Sequence, residues 1–155
     1  MGFVDESIIV AVDAPDAYSL WLDYAQYPRF MPGIERVEVV GYCRLRWTGL
    51  VCGRSVEWET NVVDRVQDTR LRWEAVDGRE TGDVDFQKLD AGHTCVHYQL
   101  EYEPARWTDR DPAAVRACLH GRVRDTLAAL KTLVEAADLN RQVPPAARPR
   151  PPRLR

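Results

Sequence analysis

A change of hydrophobic period divides this chain. From Ile34 to Pro104 apolar and polar residues alternate in steps of two; from Asp111 to about Leu139 the apolar residues recur at helical spacing. Steps of two mean strands with one apolar face, and a strand run with one wet face reads as an antiparallel sheet. Residues 44–52 put Leu45, Trp47, Gly49 and Val51 on one side, and residues 55–66 set Val56, Trp58, Thr60 and Val62 against Glu57, Glu59, Asn61 and Val63. Leu71, Trp73 and Ala75 oppose Arg70, Arg72 and Glu74; Val84 and Phe86 oppose Asp83 and Asp85; Val96, Tyr98, Leu100 and Tyr102 oppose Cys95, His97, Gln99 and Glu101. Gly53-Arg54, Asp77-Gly78 and Ala91-Gly92 supply turns between these runs.

Every apolar sheet face must be covered, and the chain offers one long helix to do it. Asp111 caps that helix with Pro112 in its first position, and Val115, Leu119, Val123, Leu127, Leu130 and Val134 form its stripe. Such a rod is about 40 Å long but only about 10 Å wide. A six- or seven-stranded twisted sheet is too broad for it unless the sheet curls around it. The expected fold is therefore α+β, a curved antiparallel sheet wrapped on a C-terminal helix. Curling leaves a gap on the concave side, faced by Trp47, Trp58, Trp73, Phe86, Tyr98 and Tyr102. That gap can enclose an apolar ligand, or the aromatics can simply fill a core.

The flanking segments fit this plan. Residues 3–12 read as a β-branched strand; Asp13 then opens a short helix, Pro15 to Asp23, with a second short helix and turn to Gly33. Residues 104–110 read as a loop. The last fifteen residues hold five of the ten prolines and five arginines without an acid, which reads as a disordered tail after a domain of residues 1–140. That tail is a candidate docking segment for an acidic partner or an anionic membrane surface. All 24 acids precede it, so the body is more acidic than the net charge of −3, a poor match for nucleic acid.

The four cysteines, Cys43, Cys52, Cys95 and Cys118, are scattered without a C-x-x-C pair, and neither a secretory leader nor a transmembrane run is visible. The expectation is a cytoplasmic protein with reduced thiols, Cys118 acting as a small hydrophobe on the helix, and no metal or cofactor. His93, His97 and His120 fall on different elements, which argues against a histidine cluster. Asp83 and Asp85 share a face expected to point to water, and Glu57 and Glu59 read as cross-strand partners of Arg70 and Arg72.

The phrases SIIVAVDAP (7–15), YSLW (18–21), YPRFMPGI (27–34), RLRW (44–47), VEWE (56–59), GDVDF (82–86) and YQLEYEP (98–104) resemble the START/Bet v 1-like helix-grip (SRPBCC) superfamily. More narrowly they resemble its bacterial polyketide cyclase/dehydrase and lipid-transport group, over about residues 3–138. The resemblance implies a seven-stranded sheet gripping the C-terminal helix around a cavity. It implies Tyr27, Phe30, Met31 and Trp107 at the mouth, and a lining that includes Trp47, Trp58, Thr60, Val62 and Trp73. Val84, Phe86 and Tyr98 from the sheet, with Leu119 and Val123 from the helix, complete the candidate ligand-binding set. Aromatase/cyclase members place a substrate-orienting arginine on the strand after the tryptophan; here Val62 occupies that position. Two functions follow as expectations: binding of a hydrophobic lipid or polyketide-like molecule, and cyclisation or dehydration of a poly-β-ketone. For the second, Thr60, Tyr98 and His120 are the polar candidates.

Overall fold

A computed structural model describes residues 1–107 and 111–142, with side chains described as far as residue 139. The alternating segments form β2 (Ile34–Gly41), β3 (Arg44–Val51), β4 (Arg54–Val66), β5 (Arg70–Ala75), β6 (Glu80–Asp90) and β7 (His93–Tyr102), preceded by β1 (Gly2–Val10). They build one seven-stranded sheet in the order β1-β7-β6-β5-β4-β3-β2. Each strand from β2 to β7 folds back on its predecessor; β1 closes the far side by pairing antiparallel with β7, Val4 opposite Leu100 and Ile8 opposite Val96. Bulges interrupt the register near Val62–Asp64 and Lys88–Asp90. Bulges raise local twist and bend a sheet. The inner face is continuous and apolar from Val4 through Leu100, Val84, Leu71 and Trp58 to Trp47.

Between β1 and β2 run α1 (Ala14–Leu22), a 3-10 turn (Tyr24–Gln26) and α2 (Tyr27–Phe30); after β7 come α3 (Pro104–Trp107) and α4 (Pro112–Gln142). Asp111 caps α4, its Oδ1 accepting the Ala113 N–H at 3.1 Å. All six stripe residues of α4 are buried. The helix also seals the free edge of β1: Arg116 donates to Phe3 O at 2.6 Å, Lys131 to Ile9 O at 2.8 Å, and Glu135 accepts the Ala11 N–H at 2.8 Å. An open edge would otherwise template pairing with another chain. The result is the α+β helix-grip fold.

Several local expectations change. The β3–β4 turn is Cys52-Gly53, both with positive φ, rather than Gly53-Arg54. A two-residue hairpin with φ > 0 at both positions matches the twist of its strands. Asp13 precedes α1 without capping it; its carboxylate instead accepts the Gly92 N–H at 2.9 Å, tying down the β6–β7 turn. Residues 104–107 form a helical turn instead of loop, and 108–110 lie outside the described residues. Glu57 and Glu59 pair with Arg46 and Arg44 on β3, because the β4–β5 ladder begins only at Thr60–Ala75. Asp83 is largely shielded, held by Arg70 at 2.7 Å with Arg72 nearby. The Arg/Pro tail lies outside the described residues from 143 onward, and α4 continues to Gln142, beyond the expected boundary at 140. No helix among the described residues is long and apolar enough to cross a membrane.

Candidate functional site

The inner face carries a connected run of aromatic rings. Trp21 of α1 stacks on Trp73 (6.1 Å between centroids), Trp73 on Trp47 (6.1 Å), Trp47 on Trp58 (5.5 Å), and Trp58 meets Trp107 of α3 edge-on (5.2 Å). Tyr27 and Phe30 pack edge-on against Trp21, and Tyr98 lies against both Trp21 and Trp73. Gly82 lets the Trp73 indole lie flat on the sheet, since a Cβ there would overlap the ring. Some polar tips are satisfied: Trp47 Nε1 donates to Thr60 Oγ1 at 2.9 Å, Tyr27 Oη to Trp21 O at 2.6 Å, and Trp107 Nε1 to Arg79 O at 3.2 Å.

One group of polar atoms on this face is only partly satisfied. Arg122 of α4 and Glu80 of β6 form an ion pair at 3.2 Å, with side chains 4% and 0% exposed. A single contact, Nη1 to Oε2, holds the pair. Arg122 Nη2, Glu80 Oε1 and the hydroxyl of Tyr98 are buried and have no hydrogen-bond partner among the described residues, as are Trp58 Nε1, Trp73 Nε1 and Thr126 Oγ1. The Arg122 guanidinium sits 5.5 Å from both the Trp58 and Trp107 ring centres, and that of Arg79 at 5.6 and 5.0 Å from the same rings. Burial opposes the Arg122 charge, but Glu80 and Tyr98 outweigh it and hold the guanidinium above its ordinary range. Burial also pushes the Tyr98 hydroxyl up to about 12, with Arg122 pulling it down and Glu80 pushing it further up. Tyr98 therefore stays a neutral donor at ordinary pH.

Chemically the cluster offers donors at Arg122 and Tyr98 and an acceptor at Glu80, against the Trp58 and Trp73 rings. Those groups match a molecule with an apolar body and adjoining carbonyl and hydroxyl functions. Each unsatisfied buried atom costs about 1–3 kcal/mol. Native folds leave few such atoms, and each calls for an explanation.

The sequence candidates fall into three places. Trp58 and Trp107 flank the Arg122 guanidinium, Tyr98 feels the charges of Arg122 and Glu80, and Trp73 packs edge-on against Tyr98. Trp47, Thr60, Val84, Phe86, Leu119 and Val123 are buried between sheet and helices, with Val62 half-buried beside them. Tyr27, Phe30 and Met31 are each 1% exposed; Tyr27 and Phe30 brace α2 against Trp21. His120 lies apart from the cluster, half-exposed on α4 and 2.8 Å from Glu6 of β1. His93 and His97 likewise pair separately, with Asp90 and Asp5.

The sequence reading missed Glu80, Arg122 and Thr126, although their positions signal them. Glu80 is in phase with Gly82, Val84 and Phe86 on β6, and Arg122 stands seven residues after Val115 and three after Leu119. Opposite charges on the apolar phase of two facing elements mark a buried pair. The thiol expectation is overturned: Cys52 and Cys118 form a disulfide with Cα atoms 5.7 Å apart, leaving Cys43 and Cys95 free. Sequence separation of 66 residues hid the pairing, which depends on the β3–β4 tip reaching α4.

Comparison with known proteins places this geometry in context. The family described as polyketide cyclase/dehydrase and lipid transport matches residues 1–135. An uncharacterised 17.2 kDa protein of Streptomyces lincolnensis is 33% identical over 112 residues, 71% of this chain and 75% of that one. A START superfamily protein from Mycobacterium smegmatis superposes with a TM-score of 0.75 at 18% identity, covering 87% of this chain and 98% of that one. The Zhui aromatase/cyclase from Streptomyces sp. R1128 superposes with a TM-score of 0.69 at 19% identity, covering 94% and 98%.

Proposed function

The chain belongs to the polyketide cyclase/dehydrase and lipid transport family, and we propose that it binds an apolar small molecule bearing carbonyl and hydroxyl groups, lipid or polyketide-like, between the sheet and α4. The observation that carries this reading is the group of buried atoms at Arg122, Glu80 and Tyr98 that have no hydrogen-bond partner among the described residues. Binding draws its strength from removing apolar ligand surface from water, roughly 25 cal/mol per Å². Orientation comes from Arg122 and Tyr98 donating to a carbonyl and Glu80 accepting from a hydroxyl. Native mass spectrometry of protein purified from its own host, followed by denaturing extraction, is expected to release an apolar oxygenated compound. A clean apo mass, together with no saturable uptake of a neutral apolar dye, opposes the reading.

A second reading, cyclisation or dehydration of a poly-β-ketone, is favoured by the Glu80 carboxylate beside two donors. The family resemblance sets Val62 at the position of the aromatase arginine, and Arg122 would offer a guanidinium from the helix side instead. Glu80 would take a proton from the methylene between two carbonyls. The resulting carbanion would attack a further carbonyl of the same molecule, opening its C=O π bond; Arg122 and Tyr98 would steady the oxyanion until Glu80 returns its proton to it, leaving a cyclic β-hydroxy ketone. Incubation with a poly-β-ketone thioester separates the readings: a cyclised product lost in Glu80→Gln supports the enzyme, and an unchanged substrate opposes it.

A further inference from the structure

We propose that the Cys52–Cys118 disulfide is a reducible latch over the ligand's entry route. It rests on the reading that a ligand binds between sheet and α4. Cys52 is the first residue of the β3–β4 turn, and Cys118 lies on α4 one helical turn before Arg122. The two flank a surface groove of about 350 Å³, lined also by Pro32, Gly33, Val51, Gly121 and Arg122. Arg122 thus lines this groove and also forms the buried pair with Glu80, its Nη2 without a partner among the described residues. On this proposal the groove is the outer end of the route to the buried pair.

The disulfide links α4 to the β3–β4 tip where the two backbones stand apart and the Arg122–Trp58 contact lies deeper in the core. α4 packs closely on β1, with further contacts to α2, α3 and β7, whereas its backbone barely meets β3 and β4. The β3–β4 tip is anchored on its other flank, Leu50 N donating to Gly33 O at 2.8 Å. Opening the S–S bond frees the tip from α4 while leaving the sheet ladder and the β1–α4 contacts intact. Both cysteines are half-buried and line the groove.

The chemistry is thiol–disulfide exchange with a dithiol reductant. A reductant thiolate attacks one sulfur and forms a mixed disulfide as the other cysteine leaves. The reductant's second thiol then displaces the first cysteine. Two electrons and two protons pass to Cys52 and Cys118, and the reductant ends as its own disulfide. Exchange with an oxidised low-molecular-weight disulfide reverses the step.

Stopped-flow uptake of the neutral dye N-phenyl-1-naphthylamine tests this on the full chain. It compares oxidised protein, protein reduced with a phosphine, and the double variant Cys52→Ser/Cys118→Ser, each checked for native circular dichroism. The latch predicts that reduced protein and double variant take up dye at least tenfold faster than oxidised protein, to a similar final amplitude. Saturable uptake at rates within twofold in all three overturns the latch and leaves the binding reading standing. No saturable uptake in any form overturns both. Should the double variant not fold, phosphine titration of the Cys43→Ser/Cys95→Ser variant makes the same comparison, because its only cysteines are the latch pair. A peptide map of the air-oxidised protein without a Cys52–Cys118 link also overturns the proposal.

Discussion

Arg122 and Glu80 show how one pair of residues can be costly to the fold and useful to the site. Their carboxylate and guanidinium are buried, yet share one contact. Breaking such a pair from one side leaves a lone buried charge and costs about 3–5 kcal/mol, whereas replacing both partners with apolar groups is often neutral or stabilising. Urea unfolding of Glu80→Ala is therefore expected to show a loss of about that size. Glu80→Leu/Arg122→Met should unfold at or above the wild-type midpoint while losing ligand. Tyr98 adds a pH signature. Its folded-state pKa of about 12 lies above the ordinary value of 10. Between those values the unfolded chain releases a proton that the folded chain keeps. Its stabilising contribution is complete below pH 10 and is lost as pH rises toward 12, at up to about 1.4 kcal/mol per pH unit. Tyr27, buried and also raised, adds a similar slope. Tyr98→Phe should flatten the stability profile above pH 10, as measured by urea unfolding at several alkaline pH values. These residues were the least legible part of the sequence. Tyr98 stood out by its phase, but Glu80 and Arg122 explain each other only when β6 and α4 face one another.

At the level of elements, period and turn chemistry carried most of the information. The six hairpin strands and the long helix were readable because each buries one face: Trp47 alternates with Arg46 and Thr48, and Leu119 and Val123 recur along α4. What escaped was contact between elements distant in sequence. Asp13 has the form of a helix cap, but the β6–β7 turn arrives with an unpaired N–H at Gly92 and takes its carboxylate. Cys52 and Cys118 follow the same logic. Their bond closes a loop with a sequence separation of 66 residues. By loop-closure entropy such a crosslink stabilises by about 4 kcal/mol. Thermal unfolding with and without a phosphine reductant should show a lower midpoint for the reduced protein, and Cys52→Ser/Cys118→Ser should reproduce that lower value and no longer respond to reductant.

For the whole molecule, the fold follows from one mismatch: a broad one-sided sheet and a single narrow helix. α4 covers β1 and the centre, and α1 to α3 complete the cover with Trp21, Tyr27, Phe30 and Trp107. Five tryptophans then meet in one interior, beside an ion pair that the other described residues leave partly unsatisfied. The central claim is that this interior is where an oxygenated apolar ligand binds. Titration of isotope-labelled protein with the aromatic β-diketone benzoylacetone, followed by NMR of tryptophan indole and arginine side-chain N–H signals, tests it directly. Saturable shifts are expected at Trp58, Trp73 and Arg122, reduced in Tyr98→Phe, while exposed arginines such as Arg36 stay still. Saturable shifts confined to surface groups, or no saturable shift at these three residues, would contradict it.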